Sequence, residues 1–146
     1  MIPSGRSLPG LDVSRETMDR LERYEALLRK WNPTINLVSR ATLDDMWARH
    51  FVDSAQLLRA APSGAKSWVD LGSGGGFPGL VIAILARQLR PGLAVTLVES
   101  DLRKAAFLRE AAREVGVSVT IKAERAETLT PCNADVLSAR ALAPLT

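Results

Sequence analysis

The stretch Val69-Asp70-Leu71-Gly72-Ser73-Gly74-Gly75-Gly76-Phe77-Pro78-Gly79 decides the fold. Trp68 to Leu71 is a short apolar strand that runs straight into a glycine cluster. An apolar helix from Leu80 to Leu89 follows, stopped by Pro91-Gly92. Glycines in such a turn let the backbone take positive φ and let a ligand approach without meeting a Cβ. The turn lies at the carboxyl end of a strand, where open α/β sheets bind ligands, and it feeds a helix N-terminus. A plain strand-to-helix connection rarely needs so many glycines.

Downstream, the same grammar repeats. Ala94 to Glu99 reads as a second strand, Asp101 to Val115 as a helix with Gly116 as its left-handed stop, Val117 to Ile121 as a third strand and Ala134 to Ala139 as a fourth. Strands alternating with helices imply right-handed crossovers and a parallel sheet covered on both faces. Upstream, apolar residues recur at helical spacing from Met18 through Leu21, Tyr24 and Leu28 to Trp31, with Ser14 as N-cap and Asn32-Pro33 as the stop. A second helix is expected from Thr42, with Asp45 in a capping-box position, burying Leu43, Trp47, Phe51 and Leu58 and ending before Pro62. The chain therefore divides into an N-terminal arm at 1–11, expected to be mobile, a helical extension at 12–62, and an α/β core at 63–146.

A length of 146 residues suits one domain, and 47% hydrophobic with 24% charged residues is ordinary globular composition. No apolar run approaches the ~20 residues of a bilayer span, and the N-terminus lacks the apolar core of a secretory signal. One Cys and one His exclude a disulfide framework and metal sites built on paired Cys or several His. The expectation is a cytoplasmic, metal-free protein. A net charge of +3 permits an anionic partner without demanding one.

The loop must be matched to a ligand. A phosphate-cradling P-loop would need Gly-Lys-Ser/Thr, which is absent. Gly74, Gly76 and Gly79 match a dinucleotide fingerprint literally, but Gly74 follows the strand two residues later than Gly72 does, and counting from Gly72 puts Phe77 at the third glycine. The arrangement Asp70-x-Gly72-x-Gly74-x-Gly76 is instead that of loops binding S-adenosyl-L-methionine. Glu99, at the end of the second strand, is placed to accept hydrogen bonds from ribose hydroxyls; its plainer role is an acid favoured by the dipole of the next helix. His50, near Asp53, reads first as a structural hydrogen-bonder, and Trp31, Trp47 and Trp68 as packing residues. Cys132 reads as a reduced bystander in a loop.

Several segments taken together resemble one family: Trp31-Asn32 with Asn36-Leu37, His50 with Asp53-Ser54, Gly72 to Gly79, Lys104 with Phe107-Leu108, Arg125-Ala126-Glu127, and Ser138-Ala139-Arg140-Ala141. The chain from about Leu21 onward is similar to the bacterial 16S ribosomal RNA guanine-N7 methyltransferases of the glucose-inhibited division protein B family. The resemblance implies a Rossmann-like sheet, S-adenosyl-L-methionine as cofactor, and methylation of N7 of guanosine 527, in conventional rRNA numbering, of 16S rRNA in the small ribosomal subunit. It implies that Asp70, Gly72, Ser73, Gly74, Gly76 and Phe77 border the cofactor, that Glu99 holds its ribose, and that Ala126 and Glu127 lie against the adenine. Arg140 would stand beside cofactor and substrate as the catalytic orienting residue. A monomer is expected.

Guanine N7 carries a free lone pair at neutral pH, so no general base is named; alignment and a water-excluding pocket suffice. The family's sheet has further strands after the fourth, and these are expected to be missing here, which would leave the fourth strand as an edge. Three alternatives stay open on sequence alone: a methyltransferase of another substrate, a non-catalytic fragment that binds nucleotide or RNA, and a nicotinamide oxidoreductase.

Overall fold

The computed structural model describes residues 7–125 and 134–139. Helix α1 (Arg15–Ile35) opens with Ser14, whose hydroxyl accepts the Thr17 amide. The short α2 (Arg40–Leu43) and a π-helical stretch (Trp47–Val52) lead into α3 (Asp53–Ala60). Then come β1 (Ser67–Leu71), α4 (Gly79–Leu89), β2 (Ala94–Val98), α5 (Leu102–Val115), β3 (Thr120–Lys122) and β4 (Val136–Ala139). The sheet is parallel, in the order β3-β2-β1-β4. This is the α/β, Rossmann-like arrangement that the alternation of elements predicts. The order steps outward from β1 in both directions, so the crevice at the carboxyl ends of β1 and β4 is the topological switch point.

The helical segment packs onto the sheet's own helices. α1 lies against α4 and α5, and α3 against α4. The Gln88 side chain of α4 accepts from the Ser14 amide at 2.9 Å and the Thr17 hydroxyl at 2.6 Å, fastening the start of α1. Leu21, Tyr24, Leu28, Phe51 and Leu58 join Trp68, the apolar side of α4, Leu97 and Phe107 in one buried cluster. α4 is buried along nearly its whole length, as expected of a helix held between a sheet and other helices. Among the described residues no helix is long and apolar enough to cross a membrane.

The structure moves four sequence expectations. α1 runs through Pro33 to Ile35. The lost amide falls in the last turn, where it removes a single bond, and Ile35 is drawn into the core. Asn36, left-handed at φ 51°, closes the helix by donating its amide to the Asn32 carbonyl.

The helix expected from Thr42 starts at Arg40 and is broken into three pieces. A π-helical turn widens the spiral and lets the adjacent residues His50 and Phe51 both reach Phe77, with ring centroids 4.7 and 5.3 Å away. Phe51 and Leu58 are buried as expected, whereas Leu43 and Trp47 are only half-buried.

The third strand occupies Thr120–Lys122 instead of Val117 to Ile121. Val117 is committed to ending α5, its amide donating to the Ala112 carbonyl beside the left-handed Gly116. Finally, the part of the expected arm that is described is packed. Leu8 is 3% exposed, and the carbonyl of Ser7 accepts the Trp47 indole N–H. An apolar side chain so close to the helices is more stable buried than in water.

Candidate functional site

The glycine loop is held by bonds to its own carboxyl-end neighbours. The Gly72 and Ser73 amides both donate to the Val98 carbonyl at the end of β2, at 2.8 and 3.0 Å. The Ser73 hydroxyl donates back to the Asp70 carbonyl, and the Gly76 amide to the Ser73 carbonyl. Gly72, Gly74 and Gly76 have φ of 69°, 55° and 106°, the region where a side chain is strained.

The glycines nevertheless do different jobs. At Gly79 a Cβ would run into Leu97 and the Asp70 carboxylate, and at Gly76 into the Tyr24 hydroxyl and Leu80. At Gly75 it would press on Leu37 at 3.1 Å. These three let the protein pack on itself. At Gly74 the nearest neighbour is a carbonyl of the loop, 4.0 Å away, so this position faces open space.

Beneath the loop lies a buried polar chain. The Trp68 indole N–H donates to the Ser138 hydroxyl at 2.9 Å, which donates to Asp70 Oδ1 at 2.8 Å, while Asp70 Oδ2 accepts the Gly79 amide at 3.1 Å. Asp70, 0% exposed, thus locks β1, β4 and the first residue of α4 together. Tyr24 closes the other side, donating its hydroxyl to the Gly75 carbonyl. Burial, reinforced by the nearby Asp70 charge, pushes the Tyr24 phenol well above its ordinary range.

Glu99 joins the second strand to the loop. Its Oε1 accepts the Gly74 amide at 2.7 Å and its Oε2 the Asp101 amide at 2.9 Å, with the residue 8% exposed. Asp101, not Glu99, caps α5, accepting from the Arg103 and Lys104 amides. Those bonds, that of Lys104 foremost, hold the Asp101 carboxyl below its usual range.

A cavity of about 270 Å³ opens beside the loop, between Gly72, Ser73, Gly74, Gly75 and Phe77 on one wall and Leu37, Val38, Ser39, Thr42 and His50 on the other. Of the residues singled out in the sequence, Gly72, Ser73, Gly74 and Phe77 line it, and Glu99, outside the lining, is bonded to the Gly74 amide. Asp70 lies below the loop, and Gly76 is turned onto Tyr24. Ala126, Glu127 and Arg140, like Cys132, fall outside the described residues. Val38, Ser39 and Thr42 of the opposite wall are not among the site residues that the sequence suggests. His50, by sequence a structural hydrogen-bonder, stacks its ring on Phe77 and holds its Nε2 3.4 Å from the Thr42 hydroxyl, and it also lines the cavity.

The lining suits a ligand with an apolar body and a few polar groups. Among the described residues the lining carries no Lys or Arg. The open Gly74 position allows close backbone approach, and the Glu99 carboxylate keeps acceptor capacity beyond its two bonds.

Comparison with known proteins gives a consistent relationship. A family profile described as rRNA small subunit methyltransferase G matches residues 17–146. A protein named ribosomal RNA small subunit methyltransferase G from Ruegeria sp. (strain TM1040) is 59% identical over 141 residues, which cover 97% of this chain and 68% of that protein. Its namesake from Ruegeria pomeroyi is 55% identical over 146 residues, covering 100% of this chain and 70% of that protein. The one from Rhodospirillum centenum is 62% identical over 133 residues, covering 91% of this chain and 59% of the relative.

Proposed function

The chain belongs to the rRNA small subunit methyltransferase G family, and from that premise we propose that it methylates N7 of one guanosine in 16S rRNA with S-adenosyl-L-methionine. The observation that carries this reading is the cavity between the loop from Gly72 to Phe77 and the segment from Leu37 to His50, with Glu99 bonded to the loop. When bound, the cofactor supplies a methyl group made electrophilic by its sulfonium. Glu99 accepts from the ribose hydroxyls, and the Gly72–Gly74 backbone lies along the nucleoside. Ser39, Thr42 and His50 supply polar contacts to the amino-acid tail. Ala126 and Glu127 are assigned to the adenine, and Arg140, directly after β4 in the chain, to orienting the substrate.

Guanine N7 attacks through a lone pair that needs no prior deprotonation, so the protein's work is to hold nucleophile, methyl and leaving sulfur in line and to keep water out. Phe77, 6% exposed and packed by His50, Phe51 and Tyr24, gives that wall its rigidity. Under this reading the protein acts as a monomer in the cytoplasm on the RNA of the small ribosomal subunit.

The direct test is incubation of the purified protein with methyl-labelled cofactor and 16S rRNA that lacks the modification. Chain scission at N7-methylated guanine then locates the product. A single labelled guanosine is expected; label on another atom, or none, contradicts the proposal.

A further inference from the structure

A second cavity, of about 400 Å³, shares no lining residue with the first and is not used by the cofactor reading. Asp53, Gln56 and Leu57 of α3 form one side, and Pro78 with Ser138 and Ala139, at the carboxyl end of β4, forms the other. Of the consecutive residues Phe77 and Pro78, Phe77 lines the smaller cavity and Pro78 the larger. Pro78 and Ala139 place this cavity next to the loop in sequence and at the carboxyl end of β4, beside the topological switch point of the sheet.

Asp53 needs an explanation that its place in the helix does not supply. An acid in a first helical turn ordinarily serves as a cap or complements the dipole. Here α3 continues directly from the π-helical stretch: Val52 is itself helical, and the Asp53 amide already donates to the His50 carbonyl. There is no free helix end for the carboxylate to serve. Among the described residues, no hydrogen bond or ion pair occupies the side chain of Asp53 or of Gln56, and both are exposed.

We propose that Asp53 and Gln56 read the Watson–Crick edge of the target guanine in this cavity. The inference rests on the guanine-N7 reading above. Guanine presents two adjacent donors, N1–H and the 2-amino group, beside the O6 acceptor. A carboxylate accepts from both donors at once, and the Gln56 carboxamide N–H₂ donates to O6. Adenine offers an acceptor at N1 and would set a lone pair against the carboxylate. Leu57, 46% exposed, and the ring of Pro78 provide apolar surface for the faces of the base. The edge so held is not the edge that reacts, which leaves N7 free to point away from α3. Because a paired guanine hides its Watson–Crick edge, this mode also requires an unpaired target nucleotide.

The test compares the full chain with its Asp53→Asn variant on an RNA fragment carrying the target guanosine, and on the same fragment with inosine, which lacks the 2-amino group. The wild type should favour guanosine in kcat/KM by about tenfold or more. Asp53→Asn should lose roughly ten- to a hundredfold on guanosine, with the guanosine-to-inosine ratio collapsing toward one. S-adenosylhomocysteine affinity and melting temperature should match the wild type, which a merely structural role for Asp53 would not allow.

A variant that keeps the wild-type rate and ratio overturns the inference. So does one that loses cofactor affinity in parallel with activity. Failure of the wild type itself to methylate guanosine overturns the guanine-N7 reading and this inference with it; activity on guanosine with an unchanged ratio in the variant sinks this inference alone.

Discussion

Glu99 Oε1 accepts a hydrogen bond from the amide of Gly74 at 2.7 Å, so the acid that follows β2 and the glycine loop that follows β1 form one unit. The same carboxylate receives the Asp101 amide and so also fixes the approach to α5. Replacing it by Gln exchanges one acceptor oxygen for a donor. Hydrogen bonds to a charged group contribute about 1.5–3 kcal/mol. Glu99→Gln should therefore weaken S-adenosylhomocysteine binding by roughly ten- to a hundredfold, measured by titration calorimetry; unchanged affinity would remove Glu99 from the cofactor site.

Gly79 is required by space and not by backbone angle, since a Cβ there meets Leu97 and lies 2.6 Å from Asp70 Oδ2. Gly79→Ala should destabilise the fold by about 1–3 kcal/mol through overpacking, lowering the melting temperature by several degrees. Gly64→Ala, where nothing lies within 4 Å, is the matched control. It should change stability by less than about 0.5 kcal/mol.

Ser138 bridges the Trp68 indole and the Asp70 carboxylate. Ser138→Ala leaves both groups buried with a partner missing, at a cost of about 1–3 kcal/mol in chemical unfolding. A neutral result would mean that β4 is not held to β1 by this chain.

Tyr24 is the single tyrosine of the protein, so an absorbance titration of phenolate reports on it alone. Its folded pKa is raised by burial and then by the Asp70 charge. Below the ordinary value near 10 both folded and unfolded states are protonated, and the stability is fully present. Above that value the unfolded chain loses its proton first, so stability falls as pH rises. Phenolate should appear only together with unfolding, and Tyr24→Phe should flatten the fall in stability above pH ~10 relative to the wild type. Phenolate formation in the folded protein near the ordinary pKa would contradict the buried site.

The parts of this fold legible in the sequence are those set by local pattern. β1, α4, β2 and α5 follow from alternation and from their stops, and Ser14 and Gly116 act as the caps that their residue types suggest. The end of α1, the π-helical stretch and the position of β3 were not legible. Each is decided by what a residue meets across the molecule: Ile35 entering the core, His50 and Phe51 converging on Phe77, Val117 closing α5. The site divides in the same way. Its glycine wall is written in one continuous motif and Glu99 at the end of the next strand, while the opposing wall from Leu37 to Thr42 comes from a separate segment brought over by packing of α1 and α4. Which glycines face a ligand and which face Tyr24 or Leu97 depends on those neighbours, and no spacing rule encodes them.

The most direct test of the central claim, that this loop, Glu99 and the segment from Leu37 to His50 build an adenosyl-cofactor site, is a calorimetric titration of the purified protein with S-adenosylhomocysteine and, separately, with NAD. Saturable binding of one S-adenosylhomocysteine per chain, with no heat from NAD, is the predicted result. Tighter binding of NAD than of S-adenosylhomocysteine, or no binding of S-adenosylhomocysteine by the folded protein, would contradict it.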